Sequence, residues 1–336
     1  MPDGATSVLD VRGLETVFRT RSGDVHAVNS VSFRLRAGEL LGVVGESGSG
    51  KSVTMLSLLG LLPMPPAEVR AGAVMLGGTD LLRADAGTLR EVRGGRVGFV
   101  FQDPMTSLNP VFTVGEQIIE PLRRHKGLTR AEARARAAEL LDMVGIPDAG
   151  KRLSSYPHQF SGGMRQRVMI AIALSCDPEV LIADEPTTAL DVTIQAQILD
   201  LVRDLRAKLG MAIVWITHDL GVIAGIADRV LVMYGGQIVE QAPVDRLFAD
   251  PRHPYTQALL RTLPRHGAAR GARLRTIEGQ PPILREVPGF CTFRDRCPHR
   301  FDRCDRENPA RVAVDGLPVG TGHDAACHWS APAPHA

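Results

Sequence analysis

The sequence predicts an α/β fold in which a buried sheet carries a ligand site at the ends of its strands. The apolar run at 40–44 is typical of a buried strand, and the segment 53–62 is typical of the helix that would follow it. Two further apolar runs follow later in the chain. The run 179–185 ends in two carboxylates, and the run 211–217 ends just before a histidine. Ligands of open α/β sheets bind near the carboxyl ends of the strands. We therefore expect the function to reside at these strand ends.

A glycine-rich turn joins the first of these strands to its helix. It fits the pattern G-x-x-x-x-G-K-[ST], in which glycines let backbone N–H groups approach phosphate oxygens at a helix N-terminus. We expect Lys51 to reach the β- and γ-phosphates of a nucleotide and the Ser52 hydroxyl to bind Mg²⁺. The alternative is a glycine-rich turn that binds nothing, which the strand–turn–helix context disfavours. The predicted nucleotide-binding residues of this turn are Gly45, Glu46, Ser47, Gly48, Ser49, Gly50, Lys51 and Ser52.

Composition limits the classes of protein to which the chain can belong. Its 336 residues suffice for one large domain and an extension, and 44% hydrophobic with 4% aromatic residues indicates an aliphatic core. The net charge of +2 gives no general argument for nucleic acid as a partner. The N-terminus lacks the parts of a signal peptide, and no apolar run reaches the ~18 residues of a membrane helix. We expect a cytosolic protein whose membrane role would come through a partner.

Polar residues at other strand ends fit the remaining parts of a nucleotide site. Asp184 suits Mg²⁺ coordination, and Glu185, one step further along the chain, can polarise an attacking water. Paired acids more often form a solvated turn, but this strand is apolar and the chain already has a phosphate loop. Gln102, after the strand 96–101, can contact Mg²⁺ or the water, although a surface glutamine is the commoner outcome. His218 can hydrogen-bond to a γ-phosphate.

A second candidate anion-binding turn, Ser161-Gly162-Gly163, lies where a helix is predicted from Met164 to Ser175. One nucleotide does not need two such turns from one chain, so this turn suggests contact with a nucleotide held by another subunit. Asp191 lies at the start of a helix that reaches Lys208 and is at least a good N-cap. Phe18 can stack on adenine, or it can equally be an ordinary core residue.

Together these motifs resemble the ATP-binding subunits of ABC transporters, in the right order and from about residue 7 to residue 250. The resemblance implies a P-loop NTPase fold with a mixed sheet core, an antiparallel β subdomain and a helical subdomain at about 104–175. We expect the ATPase domain over 1–250 and a C-terminal extension over 251–336. The corresponding motifs are Walker A (Gly45–Ser52), Q-loop (Gln102), signature (Ser161–Arg165), Walker B and catalytic glutamate (Asp184, Glu185), D-loop (Ala189-Leu190-Asp191) and switch histidine (His218).

Several details resemble the dipeptide/oligopeptide importer subfamily, so the resemblance covers nearly the whole chain. The signature has Phe-Ser-Gly-Gly-Met in place of the common Leu-Ser-Gly-Gly-Gln. The other details are the turn Gly45–Gly48, the loop Ser107–Pro110, the segment His253–Leu260 and a tail that contains cysteines. The resemblance implies a subunit that hydrolyses ATP to energise import of di- or oligopeptides.

The resemblance also implies partners and residue roles. Two ATPase subunits would pair head to tail and enclose two ATP molecules, each between one Walker A turn and the other subunit's signature turn. Catalysis falls to Glu185, His218 and Gln102, and Mg²⁺ binding to Ser52, Gln102 and Asp184. The implied partners are a second ATPase copy or paralogue, two transmembrane permeases and an extracytoplasmic substrate-binding protein, with no nucleic acid. The chain would be peripheral at the cytoplasmic face of the cell membrane.

Four of the five cysteines lie near the C-terminus and lack the C-x-x-C spacing of zinc ribbons. Four thiolates can bind Zn²⁺ or a [4Fe–4S] cluster, with His299, His323 and His328 as alternative ligands. Free thiols in a partly ordered tail are the other interpretation. Similar tails in peptide-importer ATPases carry an iron–sulfur cluster, so the resemblance favours [4Fe–4S] over zinc. Cys176 is expected in the core. The candidate ligands are Cys291, Cys297, Cys304 and Cys327.

Other functions remain open on the sequence alone. The same machine could import nickel or another small solute, because this subunit would never touch the cargo. A soluble ABC ATPase acting on DNA, ribosomes or cluster assembly is a second class, against which stand the single ATPase domain and the importer-like loop Ser107–Pro110. A structural module without catalysis is a third, and the intact Asp184, Glu185 and His218 argue against it.

Overall fold

The computed structural model describes residues 7–188, 190–263 and 276–329. The chain divides into two compact units. The first comprises Arg36–Glu39 and Arg83–Ile216, and the second comprises Leu9–Leu35, Leu40–Leu82 and the described residues from Thr217 onward. In these described ranges, no helix is both long enough and apolar enough to cross a membrane.

The strands and helices are numbered in chain order. The strands are β1 (Ser7–Thr20), β2 (Gly23–Arg36), β3 (Leu40–Val44), β4 (Ala67–Leu76), β5 (Thr79–Asp80), β6 (Val97–Val100), β7 (Val180–Asp184), β8 (Ala212–Thr217), β9 (Arg229–Tyr234), β10 (Gln237–Pro243), β11 (Val312–Ala313) and β12 (Asp324–Ala325). The helices are α1 (Lys51–Leu58), α2 (Ala86–Val92), α3 (Pro104–Ser107), α4 (Val114–Lys126), α5 (Arg130–Met143), α6 (Ala149–Arg152), α7 (Gly162–Leu174), α8 (Val192–Leu209), α9 (Leu220–Ile226), α10 (Val244–Ala249), α11 (Pro254–Thr262) and α12 (Asp302–Arg306).

The first unit contains a parallel sheet with the order β6-β7-β8. Val97 lies opposite Val180, and Leu181 lies opposite Ile213. Every residue of β7 and β8 is buried, which explains why both strands are continuous apolar runs without polar alternation. Because the strands are parallel, β6 and β7 end at the same edge of the sheet, and this positions the residues that follow them.

The helices of the first unit begin at capping residues. Thr129 and Glu132 form a capping box at the start of α5, with both the side-chain and the return hydrogen bond present. α7 begins at Gly162 rather than at the predicted Met164, because Ser161 is the N-cap and its side chain accepts a bond from the backbone. Cys176, which follows α7, is buried as predicted, with 2% of its surface exposed.

The second unit contains two sheets. β2, β1, β4 and β5 form an antiparallel sheet in that order. In the other sheet β3 pairs in parallel with β9, and β9 forms a hairpin with β10. Gly235 and Gly236 turn this hairpin with φ values of 54° and 73°, the left-handed conformation that two-residue hairpin turns require. The two glycines therefore allow β9 and β10 to pair as a hairpin.

The C-terminal extension continues the second of these sheets. β12 pairs with β10, so that Glu240 lies opposite Ala325, and β11 pairs with β12. His323 Nε2 lies 2.8 Å from Glu240 Oε1, and both side chains are completely buried. Within this extension, residues 264–275 lie outside the described residues.

Candidate nucleotide-binding and ATPase site

The predicted phosphate loop is a tight turn in the second unit, between β3 and α1. Gly50 caps α1 with a φ of 98°, so the helix begins at Lys51 rather than at the predicted Val53. A Cβ at Gly50 would lie 2.6 Å from the carbonyl oxygen of Ala27. A Cβ at Gly45 would overlap the carbonyl oxygen of Met233. Glycine is therefore required at both positions by the neighbouring backbone as well as by the conformation of the loop.

The Lys51 side chain is enclosed by its own loop and is only 5% exposed. Its ammonium group donates hydrogen bonds to the carbonyl oxygens of Gly45, at 2.8 Å, and Glu46, at 2.9 Å. The positive charge is thus fixed at the N-terminus of α1, where the helix dipole also favours anions. This local arrangement matches the one expected of a phosphate site.

The first unit brings two of the predicted catalytic side chains together. Gln102 follows β6 and Glu185 follows β7, and Gln102 Nε2 donates to Glu185 Oε2 at 3.3 Å. Thr188 Oγ1 donates to the same carboxylate oxygen at 2.9 Å. These contacts orient the Glu185 carboxylate, which is what a group that polarises water requires. Sequence analysis did not identify Thr188 as a site residue, although it lies three positions after Glu185.

Glu185 has an unusual backbone conformation for a residue with a side chain. Its φ is 45°, in the left-handed region, and its N–H donates to the carbonyl oxygen of Ile216 at 3.0 Å. Such a conformation costs on the order of 1 kcal/mol and is concentrated at functional sites. Asp184, the last residue of β7, is 5% exposed. The turn therefore separates a buried carboxylate from a more exposed one at successive positions.

The signature turn lies at the N-terminus of α7 in the first unit. Ser161 is exposed, and its side chain accepts a hydrogen bond from Met164 N at 3.4 Å. A Cβ at Gly163 would lie 2.8 Å from Ile194 Cγ2, so glycine permits the close approach of α7 to α8. Ser161 is therefore accessible, and the backbone behind it is fixed by helix packing.

The other predicted site residues lie at the ends of elements. His218 is exposed and directly follows β8. Asp191 is the N-cap of α8, as predicted, and accepts a bond from Ile194 N at 3.0 Å. Ala189, part of the predicted D-loop, lies outside the described residues. Phe18 is half-buried on β1, so its ring is neither fully core nor fully exposed.

A cavity of about 410 Å³ lies beside the phosphate loop within the second unit. The turn between β1 and β2, the phosphate loop, the β9–β10 turn and a segment of the C-terminal extension all contribute to its lining. The side chain of Arg285 crosses to the β1–β2 turn, where Nη1 lies 3.4 Å from Ser22 Oγ. The lining residues are Thr20, Ser22, Val25, His26, Ala27, Gly48, Gly235, Gly236, Pro282, Ile283, Leu284 and Arg285.

The metal site expected at the C-terminal cysteines is not found. Within the described residues, no three or more cysteine, histidine or acidic side chains are arranged to hold a metal ion. The four thiols nevertheless lie within electrostatic range of one another: burial, together with the charges of the other three, raises the pKa of Cys327 to about 12. Burial raises the pKa of Cys291 to about 11. The thiols of Cys291 and Cys327 are therefore protonated at neutral pH in this arrangement.

Two residues of the C-terminal region contact the phosphate loop and were missed by sequence reasoning. Arg296 donates from both Nη atoms to the Glu46 carboxylate, at 2.5 Å and 2.9 Å. The hydroxyl of Tyr255 accepts a hydrogen bond from Glu46 N at 2.8 Å. Tyr255 lies in the importer-like segment 253–260, which is a signal for its relevance, whereas the only signal for Arg296 is its position next to Cys297.

Comparison with known proteins agrees with the fold. Residues 28–188 match the ABC transporter family, and residues 239–304 match the oligopeptide/dipeptide transporter C-terminal region. A putative peptide import ATP-binding protein of Brucella melitensis is 52% identical over 318 residues, covering 92% of this chain and 94% of the relative. The oligopeptide transport ATP-binding protein OppD of Salmonella typhimurium is 50% identical over 315 residues, covering 94% of this chain and 93% of that protein.

Solved structures give the same result. A dimeric ATP-binding cassette in a post-hydrolysis state with ADP and phosphate matches with a TM-score of 0.63 and 28% sequence identity, covering 70% of this chain and 98% of that chain. The chain belongs to the ABC transporter ATPases, as an ATP-binding subunit. Within that family, its C-terminal region is the one found in oligopeptide and dipeptide transporters.

Proposed function

We propose that this chain is the ATP-hydrolysing subunit that energises import of di- or oligopeptides by an ABC transporter. The observation that carries the proposal is the combination of an intact phosphate loop with identity of about half to peptide-import subunits along more than nine-tenths of the chain. A cargo such as nickel stays the alternative, because no residue of an ATPase subunit contacts the cargo.

The proposed roles of the residues follow from their chemistry. The loop Gly45–Ser52 binds the phosphates, and Lys51 neutralises the β- and γ-phosphates. Glu185 is the base for the attacking water and His218 contacts the γ-phosphate. Phe18 stacks on adenine and Asp191 belongs to the D-loop. Mg²⁺, held by Ser52, Gln102 and Asp184, would supply charge neutralisation when bound.

The signature turn Ser161-Gly162-Gly163 is proposed to contact ATP held by a second ATPase subunit. Two observations support this role: the turn is exposed at a helix N-terminus, and a matching cassette was solved as a dimer with ADP and phosphate. Attraction of both faces to the γ-phosphate would close the pair, and hydrolysis would release it. The second subunit can be another copy of this chain or a paralogue.

Two transmembrane permeases are proposed to dock on the segment that follows Gln102. Large apolar side chains are exposed there, with Val111 at 71%, Met105 at 63% and Phe112 at 50% exposure. Phe112 also lines a groove of about 590 Å³ that continues along α4. Isolated exposed apolar residues are common, but a cluster beside a groove marks a docking surface. Docking there would hold the chain at the cytoplasmic face of the membrane. The permeases would receive the cargo from an extracytoplasmic binding protein.

Reconstitution tests the proposal. The chain, co-expressed with the permease subunits of a peptide importer from the same organism, should co-purify with them from detergent and drive ATP-dependent uptake of a labelled dipeptide into proteoliposomes. Uptake of nickel but not of peptide would overturn the cargo assignment. Co-purification with ribosomes or nucleic acid in place of permeases would overturn the transport function.

For the C-terminal cysteines we propose a [4Fe–4S] cluster, with Zn²⁺ as the alternative. Support comes from the mutual proximity of the four thiols, since a bound cation offsets the cost of forming buried thiolates. Two of the alternative ligands are engaged elsewhere: His323 with Glu240, and His299 stacked on Trp329 with ring centroids 3.5 Å apart. Binding would require the thiols to reorient. Anaerobic purification should give brown protein whose visible absorption bleaches on reduction, and colourless protein with one zinc per chain would reverse the assignment.

A further inference from the structure

The phosphate loop contains a carboxylate at a position where negative charge is unfavourable. Glu46 is the second residue of the loop, and its carbonyl oxygen accepts a hydrogen bond from the Lys51 ammonium. A triphosphate bound to this loop would bring several negative charges near the Glu46 carboxylate. Like charges at short range repel one another, and the repulsion is strongest where water is partly excluded. The loop therefore needs a means of neutralising Glu46.

Arg296 of the C-terminal extension provides that neutralisation. Its side chain is only 4% exposed, against 27% for Glu46, and it makes a two-pronged ion pair with the carboxylate. Paired bonds of this kind between arginine and carboxylate are among the strongest charge-assisted contacts in proteins. The two residues lie 250 positions apart in sequence. The pairing is a tertiary contact, which neither local sequence nor loop geometry imposes.

The guanidinium is fixed in place by further contacts. Arg296 Nε donates to the carbonyl oxygen of Glu278 at 2.8 Å, and Nη2 donates to that of Ile277 at 3.0 Å. Nη1 lies 3.3 Å from the hydroxyl of Tyr234, at the end of β9. An arginine side chain stays protonated in proteins, so this charge is permanent. Because these bonds and the pair with Glu46 engage the N–H donors of the guanidinium, its orientation toward the loop is set before any ligand binds.

The same extension supports the loop at two other points. Tyr255, in α11, accepts the hydrogen bond of Glu46 N, and its ring packs against Phe293 with centroids 5.3 Å apart. Thr292 lies against the β9–β10 turn, where a Cβ on Gly235 would be 2.9 Å from Thr292 Cβ. The next residue in that turn, Gly236, donates its N–H to the carbonyl oxygen of Ser49 in the loop, at 3.1 Å.

We propose that Arg296 is a positioning residue for the nucleotide site, which neutralises and holds Glu46 so that the phosphate loop can accept a nucleoside triphosphate. The C-terminal region thereby influences the affinity of the loop for nucleotide. This role is separate from any metal binding by its cysteines. This inference rests on the proposed ATPase function of the same loop. Arg296 is assigned no part in the chemical step, because its N–H groups are already engaged by Glu46, Tyr234 and the two carbonyl oxygens.

The test compares charge states of the pair. Arg296→Gln leaves Glu46 charged and unpaired, so the KM for MgATP should rise about tenfold while kcat stays within about twofold, which corresponds to about 1.4 kcal/mol of binding. The double variant Glu46→Gln with Arg296→Gln removes both charges and should return the KM to within about threefold of wild type. Arg296→Lys keeps the charge but loses the fork, so its KM should rise only about threefold.

Arg300 offers a matched control in the same extension. It pairs with Asp295 and Asp305, is 43% exposed and makes its charge pairs away from the loop, so Arg300→Gln should leave the KM unchanged. An unchanged KM in Arg296→Gln, or a double variant no better than Arg296→Gln, would overturn the inference.

If Arg296→Gln does not fold, Glu46→Gln and the double variant decide the matter. The loop is proposed to contact phosphates through its backbone N–H groups, which both variants keep, so the Glu46 carboxylate itself is not a phosphate ligand. Both variants should therefore bind MgATP within about threefold of wild type, and a tenfold loss in either would refute the charge argument. The proposed function fails separately. Wild-type protein that does not bind MgATP refutes the ATPase function, whereas wild-type protein that binds ATP without importing peptide leaves the test of Arg296 intact.

Discussion

At the scale of single residues, Glu185 combines a left-handed backbone with a carboxylate held by two side-chain donors. Strain at such a turn is retained when the position of the side chain matters more than local stability. Gln102 and Thr188 hold the carboxylate at 3.3 Å and 2.9 Å. An amide would occupy the same volume and keep an acceptor oxygen but could not take a proton from water. Position and basicity can therefore be separated at this residue.

We expect Glu185→Gln to bind MgATP normally and to lose about a thousandfold in ATP hydrolysis, which is about 4 kcal/mol of barrier. Steady-state phosphate release and nucleotide binding by fluorescence measure the two effects. Glu179→Gln is the control: Glu179 precedes β7, pairs with Arg96 on the surface at 2.7 Å and should leave hydrolysis unchanged. Hydrolysis at the wild-type rate by Glu185→Gln would rule out its role as the base.

Gly50 shows how backbone crowding and conformation act together at one position. We expect Gly50→Ala to abolish measurable MgATP binding, because its Cβ would lie 2.6 Å from Ala27 O and its φ of 98° is unfavourable for alanine. Gly150→Ala, in α6, is the matched control: a Cβ there meets no atom within 4 Å, and alanine favours helix. Isothermal titration of both variants with MgATP makes the comparison, and normal affinity in Gly50→Ala would contradict the steric argument.

At the scale of elements, the quality of a helix cap indicates whether its serine or threonine mainly stabilises the helix or can also bind a ligand. Thr129 caps α5 with a complete capping box, in which Glu132 also bonds back to Thr129 N at 2.8 Å, whereas Ser161 caps α7 through one side-chain bond without a return bond. Loss of a good cap costs about 1 kcal/mol, and loss of a poor one costs less. A residue that caps weakly but lies on an exposed turn is free to serve a ligand.

Accordingly, Ser161→Ala should leave the melting temperature almost unchanged and lower the ATPase rate of the assembled dimer at least tenfold. Thr129→Ala should show the opposite behaviour, with about 1 kcal/mol less stability and nearly full activity. Thermal denaturation and phosphate release on the same two preparations provide the readout. Full activity in Ser161→Ala would remove the proposed contact with a neighbour's nucleotide.

At the scale of the whole chain, the sequence predicted those features whose residues are neighbours along the backbone. The loop around Lys51, the strand that ends at Asp184 and the N-cap at Asp191 each depend on local spacing. The pair of Arg296 with Glu46 was missed because no periodicity relates positions 250 apart. The same limit explains the cysteines: their proximity in sequence indicated a metal site, but ligand geometry depends on side-chain directions that spacing does not determine.

A buried histidine couples the C-terminal region to the pH of the medium. His253 Nδ1 accepts a hydrogen bond from Tyr255 N at 3.0 Å, and burial lowers the pKa of His253 from 6.5 to about 4. The nearby Glu240 carboxylate, which accepts the backbone N–H of His253 at 2.8 Å, acts on the pKa in the opposite sense and is the smaller effect. Below pH 6.5 the unfolded chain binds a proton at this imidazole that the folded chain does not. Folding therefore weakens as the pH falls from about 6.5 toward 4.

Substitution by asparagine isolates this contribution, because its side-chain oxygen can still accept the bond from Tyr255 N but does not titrate. The wild-type free energy of unfolding should fall between about pH 7 and about pH 5 more steeply than that of His253→Asn, by at most about 1.4 kcal/mol per pH unit. Urea denaturation at each pH measures both slopes. His158→Asn, at an exposed site, should keep the wild-type slope. Equal slopes for wild type and His253→Asn would contradict this prediction. They would mean that the His253 imidazole takes up its proton equally in the folded and unfolded states, although its complete burial against Glu240 and Phe293 makes protonation costly in the folded state.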